Sequence, residues 1–167
     1  MGVMAAVIVP NFNTQKADQE RETFIAKLNA LTQLAWQNAL LTNALHKVVF
    51  DFKKKIVSVE RATDEKDNQG NAKFIPLERT YLETSIEWPD YLHIKNFFIE
   101  GFDEMQRSVG GETQESWFFV VPGGMTQRVT INATDTHDMQ SNGRSTKVGL
   151  VLNPFNAQFT SYDTFKK

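Results

Sequence analysis

Hydrophobic patterning divides the chain near residue 46. Before that point apolar side chains recur at Phe24, Leu28, Leu31, Leu34, Ala35, Leu41 and Leu45. Steps of three, four and seven place them on one face of an α-helix. From Ala30 to Leu45 there is no glycine, no proline and no β-branched run, so propensity agrees with periodicity. Upstream lies a polar stretch, Asn13 to Thr23, and before it an apolar run, Gly2 to Val9, closed by Pro10-Asn11-Phe12. The pattern predicts an N-terminal helical segment over residues 1–46, its later half packed through the seven side chains above. One helix from Met1 to Leu45 would be roughly 65 Å long at 1.5 Å per residue, more than a domain of this size can cover. Its N-terminal part is therefore expected to lie in a membrane, against a partner, or among copies. The run Val3, Met4, Ala5, Ala6, Val7, Ile8, Val9, Pro10 supplies only about half of the roughly 20 apolar residues of a spanning helix. It reads as the end of a longer hydrophobic segment.

After residue 46 the period changes to two. Lys47 to Phe52 and Lys55 to Glu60 read as a β-hairpin, with Ile56, Ser58 and Glu60 on one side and Val57 and Val59 on the other. Asp64 to Asn71 is a loop by composition. Phe74 to Pro89 fits either a short helix or an irregular edge strand, and Tyr91 to Ile99 a strand. Glu104 to Glu115 is a polar loop containing Gly110-Gly111. Trp117-Phe118-Phe119-Val120-Val121 is a continuous apolar run, expected of a strand buried on both faces or near the core centre. Pro122-Gly123-Gly124 turns the chain. Strands are expected over Gln127 to Thr134 and Thr146 to Leu152, with a turn-rich loop, Asp135 to Arg144, between them. A turn at Asn153-Pro154-Phe155-Asn156 precedes a last strand, Ala157 to Tyr162. The class is α+β: a long N-terminal helix packed on an antiparallel β head, residues 47–167, as one sheet or two stacked sheets.

Candidate chemistry changes this picture little. Net charge is −2, which gives no overall basic field for nucleic acid. Cysteine is absent, which removes disulfides, thiolate metal sites and cysteine nucleophiles. His46, His93 and His137 lie in separate segments, and none belongs to a metal-binding or catalytic spacing. Asp135, His137 and Asp138 offer one imidazole and two carboxylates, a weak metal candidate for which a polar loop is the better reading. The oxygen donors of Asp64 to Asn71 would suit calcium, but their spacing does not match a calcium loop. No phosphate loop, nucleophile elbow or dinucleotide fingerprint is present; no enzyme and no cofactor are expected. Asn132-Ala133-Thr134 is a formal glycosylation acceptor. Trp36 is placed at the edge of the helix's buried face.

Gly2-Val3-Met4-Ala5-Ala6-Val7-Ile8-Val9-Pro10-Asn11-Phe12 resembles the second half of the N-terminal helix of type IV pilins and type II secretion pseudopilins. In that family a Gly-Val-x-Ala-Ala run ends in proline, then becomes an amphipathic helix carrying a globular head. The prepilin peptidase site, a glycine before phenylalanine with a glutamate five residues into the mature chain, has no counterpart after Met1. The resemblance places Met1 downstream of it. Val120-Val121-Pro122-Gly123-Gly124, Arg128-Val129-Thr130-Ile131 and Val148-Gly149-Leu150-Val151-Leu152 look like the head of the minor pseudopilin H type and the FimT-like minor pilins. The last hairpin departs from the family, which usually turns on glycine.

What the resemblance implies is a structural subunit of a periplasmic pseudopilus in type II protein secretion. Its partners would be other pilin-like subunits, met through the N-terminal helix. Its place would be the bacterial inner membrane, single-pass, with the head in the periplasm, before assembly. The alternative is a minor pilin whose head binds DNA or another extracellular ligand, through Lys53, Lys54, Lys55, Arg144, Lys147, Lys166 and Lys167. The chain's net acidity weighs against nucleic acid.

Overall fold

The computed structural model describes residues 11–107, 113–140 and 142–167, with side chains from residue 15. The expectations for Val3 to Pro10 and for Gly110-Gly111 lie outside the described residues. Helix α1 runs Asn11–Thr42, about 48 Å at 1.5 Å per residue. It ends three residues short of Leu45 because Asn43 takes a left-handed φ of 49°, a conformation that asparagine tolerates and that terminates helices. Leu45 therefore lies in the connection, half-buried, with its carbonyl accepting from Ala62 N at 2.8 Å.

Eleven strands follow: β1 His46–Asp51, β2 Ile56–Lys66, β3 Ala72–Pro76, β4 Ser85–Glu87, β5 Leu92–Ile99, β6 Phe102–Asp103, β7 Glu115–Val121, β8 Met125–Thr126, β9 Val129–Met139, β10 Ser145–Asn153 and β11 Gln158–Tyr162, with a short 3-10 turn at Glu104–Gln106. They form two antiparallel sheets. The first has the order β3-β2-β1-β7-β8, with β4 also pairing β2; the second has the order β11-β10-β9-β5-β6. This is the expected α+β architecture in its two-sheet form.

Alternation decides which side chains meet. Val48, Phe50, Val57, Val59, Phe118 and Val120 of the first sheet share one core with Phe97, Ile131, Leu150, Leu152 and Phe159 of the second. Phe50 and Phe97 join the sheets edge to face at 4.8 Å. The helix closes this core with Phe24, Leu28, Leu31, Leu34, Ala35 and Ala39, and Phe24 meets Trp88 at 4.9 Å.

Four expectations are corrected. Leu41 is 82% exposed: it shares a face with Leu34, seven residues earlier, but stands in the last turn of α1, one residue from its end at Thr42. Strand β7 alternates, with Ser116, Phe118 and Val120 inward, while Trp117 and Val121 are exposed at 40% and 38%, so its apolar run is not buried on both faces. Asp135 to Met139 continue β9 instead of looping. Likewise Asp64 to Lys66 belong to β2, which leaves the turn to residues 67–71. Of the two options for residues 74–89, the strand is the one found, as the end of β3 and all of β4.

Candidate functional site

The described residues hold α1 to the head by polar contacts as well as by the apolar stripe. Arg21 sits one turn before Phe24 on the buried face and is itself buried. Its Nη1 donates to Asp135 Oδ2 at 3.0 Å and Asp138 Oδ2 at 3.2 Å, and its Nη2 to Asp18 Oδ1 at 2.6 Å. Asp135 is fully buried; its second oxygen accepts from the backbone N–H of His137 at 2.9 Å and Asp138 at 3.2 Å. Burial pulls the Arg21 pKa down, but the hydrogen bonds to Asp135 and Asp138 and the charges of Asp18 and Asp135 outweigh it. The net shift is upward, and the guanidinium stays charged.

That cluster answers the metal candidate. The carboxylates of Asp135 and Asp138 face a guanidinium. The ring of His137 turns elsewhere, stacked on Tyr91 at 4.6 Å with its Nδ1 3.3 Å from Glu20 Oε2. Burial, and then the charges of Asp135 and Glu20, push the Tyr91 hydroxyl pKa up. Among the described residues no group of three metal-ligating side chains converges. In the 67–71 turn, Asp67 Oδ1 is occupied by the N–H groups of Gln69 and Asn71.

Further along, α1 covers the free side of β11. Asn29 Nδ2 donates to Phe159 O at 3.0 Å and Phe159 N donates to Asn29 Oδ1 at 2.6 Å. Thr32 Oγ1 donates to Ala157 O at 2.7 Å. The amide of Asn29 thus supplies at Phe159 what a neighbouring strand would. Near its end, half-buried Trp36 donates Nε1–H to the Gly124 carbonyl in the β7–β8 turn. At the junction with β1, His46 is fully buried, with Nδ1 2.9 Å from the Ala44 carbonyl and Nε2 without a partner among the described residues. Burial lowers its pKa; the Ala44 bond opposes this, and Arg61 and Arg79 lower it further.

On the outer face of the second sheet, the C-terminal residues lie across β9 and β10. Lys166 N donates to Asn132 Oδ1 and Asn132 Nδ2 to Lys166 O, both at 2.8 Å. Asn132, the formal glycosylation acceptor, is buried and spends its amide here.

The cations considered for DNA are mostly engaged. Lys54 pairs with Asp51 at 3.1 Å and Lys55 with Asp90. Lys147 lies over Phe165 at 5.3 Å and Lys166 over Tyr162 at 4.3 Å. Arg21, Asn29 and His46 were not anticipated as site residues. Arg21 carried a signal, since a cation in register with Phe24, Leu28 and Leu31 needs a buried acid. Asn29 carried none, because its partner is a backbone 130 residues away.

A long N-terminal helix laid on antiparallel sheets is the architecture of pilin-like proteins. Among solved structures the chain is similar to the minor pseudopilin EpsH from the type 2 secretion system of Vibrio cholerae. The likeness has a TM-score of 0.50 at 12% identity, over 87% of this chain and 95% of that one. No family model matches the chain, and no curated protein matches it by sequence. Among the described residues no helix is long and apolar enough to cross a membrane.

Proposed function

We propose that this chain is a non-enzymatic structural subunit, a minor pseudopilin, of a periplasmic pseudopilus in type II protein secretion. The observation that carries the reading is its likeness to EpsH across almost all of that chain. The apolar run Gly2 to Val9, which leads towards α1, supports it. In this reading the run anchors the subunit in the inner membrane and then leaves lipid for a core shared with similar helices. Such contacts are heterologous and repeat along a helical axis. The head rides on α1 through the Leu28–Leu31–Ala35 stripe, and the Arg21 cluster and the Asn29 clasp set its orientation. No cofactor takes part. The work is mechanical: a rigid joint transmits movement of the helix to the head.

The absence of cysteine makes the test direct. Single cysteines at Gln15, Gln19 and Glu22 on α1, alkylated with a photoactivatable maleimide cross-linker, should on irradiation become cross-linked to other pilin-like subunits in a membrane fraction of the producing cell. Recovery of the chain solely as a soluble monomer, without cross-links, would overturn the reading.

A further inference from the structure

Sheet edges are where a strand can accept a foreign chain, and the other edges here are short or partly capped: β6 has two residues. On the β11 edge Asn29 takes the backbone groups of Phe159, and Thr32 the Ala157 carbonyl in the preceding turn. Strand β8 receives the Pro154 carbonyl through Thr126 N at 2.9 Å. Strand β3 ends in Pro76.

Strand β4 differs. It pairs β2 through Ile56–Glu87, Val57–Ile86 and Ser58–Ser85. Val59 N bonds Thr84 O at 3.0 Å and Trp88 N bonds Lys55 O at 2.8 Å. Hydrogen-bonded and non-bonded pairs alternate in an antiparallel ladder. Residues 84, 86 and 88 therefore spend their backbone groups on β2, whereas the N–H and C=O of Ser85 and Glu87 point away from it. Among the described residues these outward groups have no hydrogen-bond partner. They face a groove of about 770 Å³ between β4 and α1, with Phe24, Ile86, Trp88 and Tyr91 among its lining residues. The groove's charged groups are Lys16, Glu20, Lys27, Glu83, Glu87 and Asp90. Lys16 is matched by Glu20 at 3.9 Å and Asp90 by Lys55. Lys27, Glu83 and Glu87 form no ion pair among the described residues, so the unmatched charge beside β4 is negative.

We infer that the β4 edge is a strand-addition site for an extended, basic segment of a partner protein with alternating apolar and cationic side chains. The added strand runs antiparallel, like the other pairings of the molecule. Its backbone meets Ser85 and Glu87, its apolar residues point inward beside Ile86, and its cations stand opposite Glu83 and Glu87. Main-chain bonds supply affinity in this recognition mode, and alternate side chains supply the choice of partner. The inference stands on the edge geometry and is independent of the pseudopilin reading.

The probe is the peptide acetyl-Thr-Lys-Val-Thr-Val-Lys-Thr-amide, titrated to about 5 mM into the ¹⁵N-labelled full 167-residue chain. Saturating downfield shifts of the Ser85 and Glu87 amide protons are expected. N-methylation of the central threonine, whose N–H faces β4, should weaken binding at least about tenfold; N-methylation of a valine, whose N–H faces away, should be tolerated. Ser85→Pro removes an outward N–H where an edge strand accepts proline, and should abolish the shift at Glu87 while the protein still melts cooperatively. The charge reversal Glu83→Lys with Glu87→Lys leaves the backbone untouched and should weaken binding by a similar factor. No shift at Ser85 and Glu87, or binding indifferent to the threonine methyl group or to the charge reversal, would overturn the inference.

Discussion

Asn29 and Phe159 exchange two hydrogen bonds between a helix side chain and a strand backbone, at 3.0 and 2.6 Å. One amide thereby does the work of a sixth strand for the second sheet and fixes the position of α1 along it. Asn29→Leu should leave the Phe159 N–H and C=O without these partners and cost about 1–3 kcal/mol. In urea the midpoint should fall. Light scattering on concentrated samples should report self-association through the uncovered β11 edge. Asn29→Asp keeps the acceptor and loses the donor, so it should fall between the two. An unchanged midpoint for Asn29→Leu would show that the clasp contributes nothing to holding the helix.

Arg21 offers a sharper perturbation. Replacing it by methionine strands Asp135, which is fully buried, beside Asp138. Breaking one side of a buried ion pair costs about 3–5 kcal/mol, whereas replacing the whole set with neutral groups is often nearly neutral. Arg21→Met alone should therefore be strongly destabilising. The triple variant with Asp135→Asn and Asp138→Leu should recover most of the loss. Chemical denaturation of the two proteins side by side decides this.

His46 predicts a pH dependence. Burial holds its folded-state pKa below the ordinary value near 6.5, because the imidazolium would sit unsolvated beside Arg61 and Arg79. The unfolded chain then binds the proton more readily. The contribution to stability is complete above the unfolded-state pKa and is lost as pH falls through it towards the folded one. Melting temperature should drop between pH 7 and pH 5, and His46→Phe should flatten that part of the profile. Equal slopes in the two proteins would assign the acid sensitivity elsewhere.

Gly149 is required by space and not by dihedral angle. A Cβ there would lie 2.3 Å from the Thr164 carbonyl oxygen and 3.1 Å from Lys166 Cγ. Gly149→Ala should lift the C-terminal residues and break the paired Asn132–Lys166 bonds, at about 1–2 kcal/mol. The direct readout is carboxypeptidase digestion, which should release Lys167 and Lys166 faster from the variant than from the parent.

The long helix, most strands and the antiparallel head were legible because periodicity reports burial directly. Legibility failed where burial is settled by geometry outside the local pattern. Leu41 and Leu45 continue the spacing of Leu31 and Leu34, but Leu41 falls in the last turn of α1 and Leu45 beyond Asn43, where the helix has ended. The Trp117 to Val121 run reads as buried on both faces or near the core centre, yet its outer side chains are covered only in part, Trp117 by Lys47 and Phe119 by Phe74. Asp135, His137 and Asp138 read as a polar loop because acids seldom sit on a buried strand; the countercharge that Asp135 needs there comes from Arg21, 114 residues earlier. The clasp by Asn29 and the open edge of β4 depend on which strands become neighbours, and no local composition encodes that.

The contrast between Leu31 and Leu41 tests the packing directly. Both belong to the same apolar series in sequence, but Leu31 is 1% exposed inside the core and Leu41 stands in solvent. Leu31→Asp buries an unpaired carboxylate against Leu28, Ala35 and the sheets, which the interior cannot solvate. It should cost at least about 4 kcal/mol, among the largest single-site effects, and loosen α1 from the head. Protection of the α1 amides from hydrogen exchange should collapse in parallel. Leu41→Asp should shift stability by no more than about 0.5 kcal/mol, the range for exposed sites. If the two variants melted alike, α1 would not be seated on the head through the Leu28–Leu31–Ala35 face.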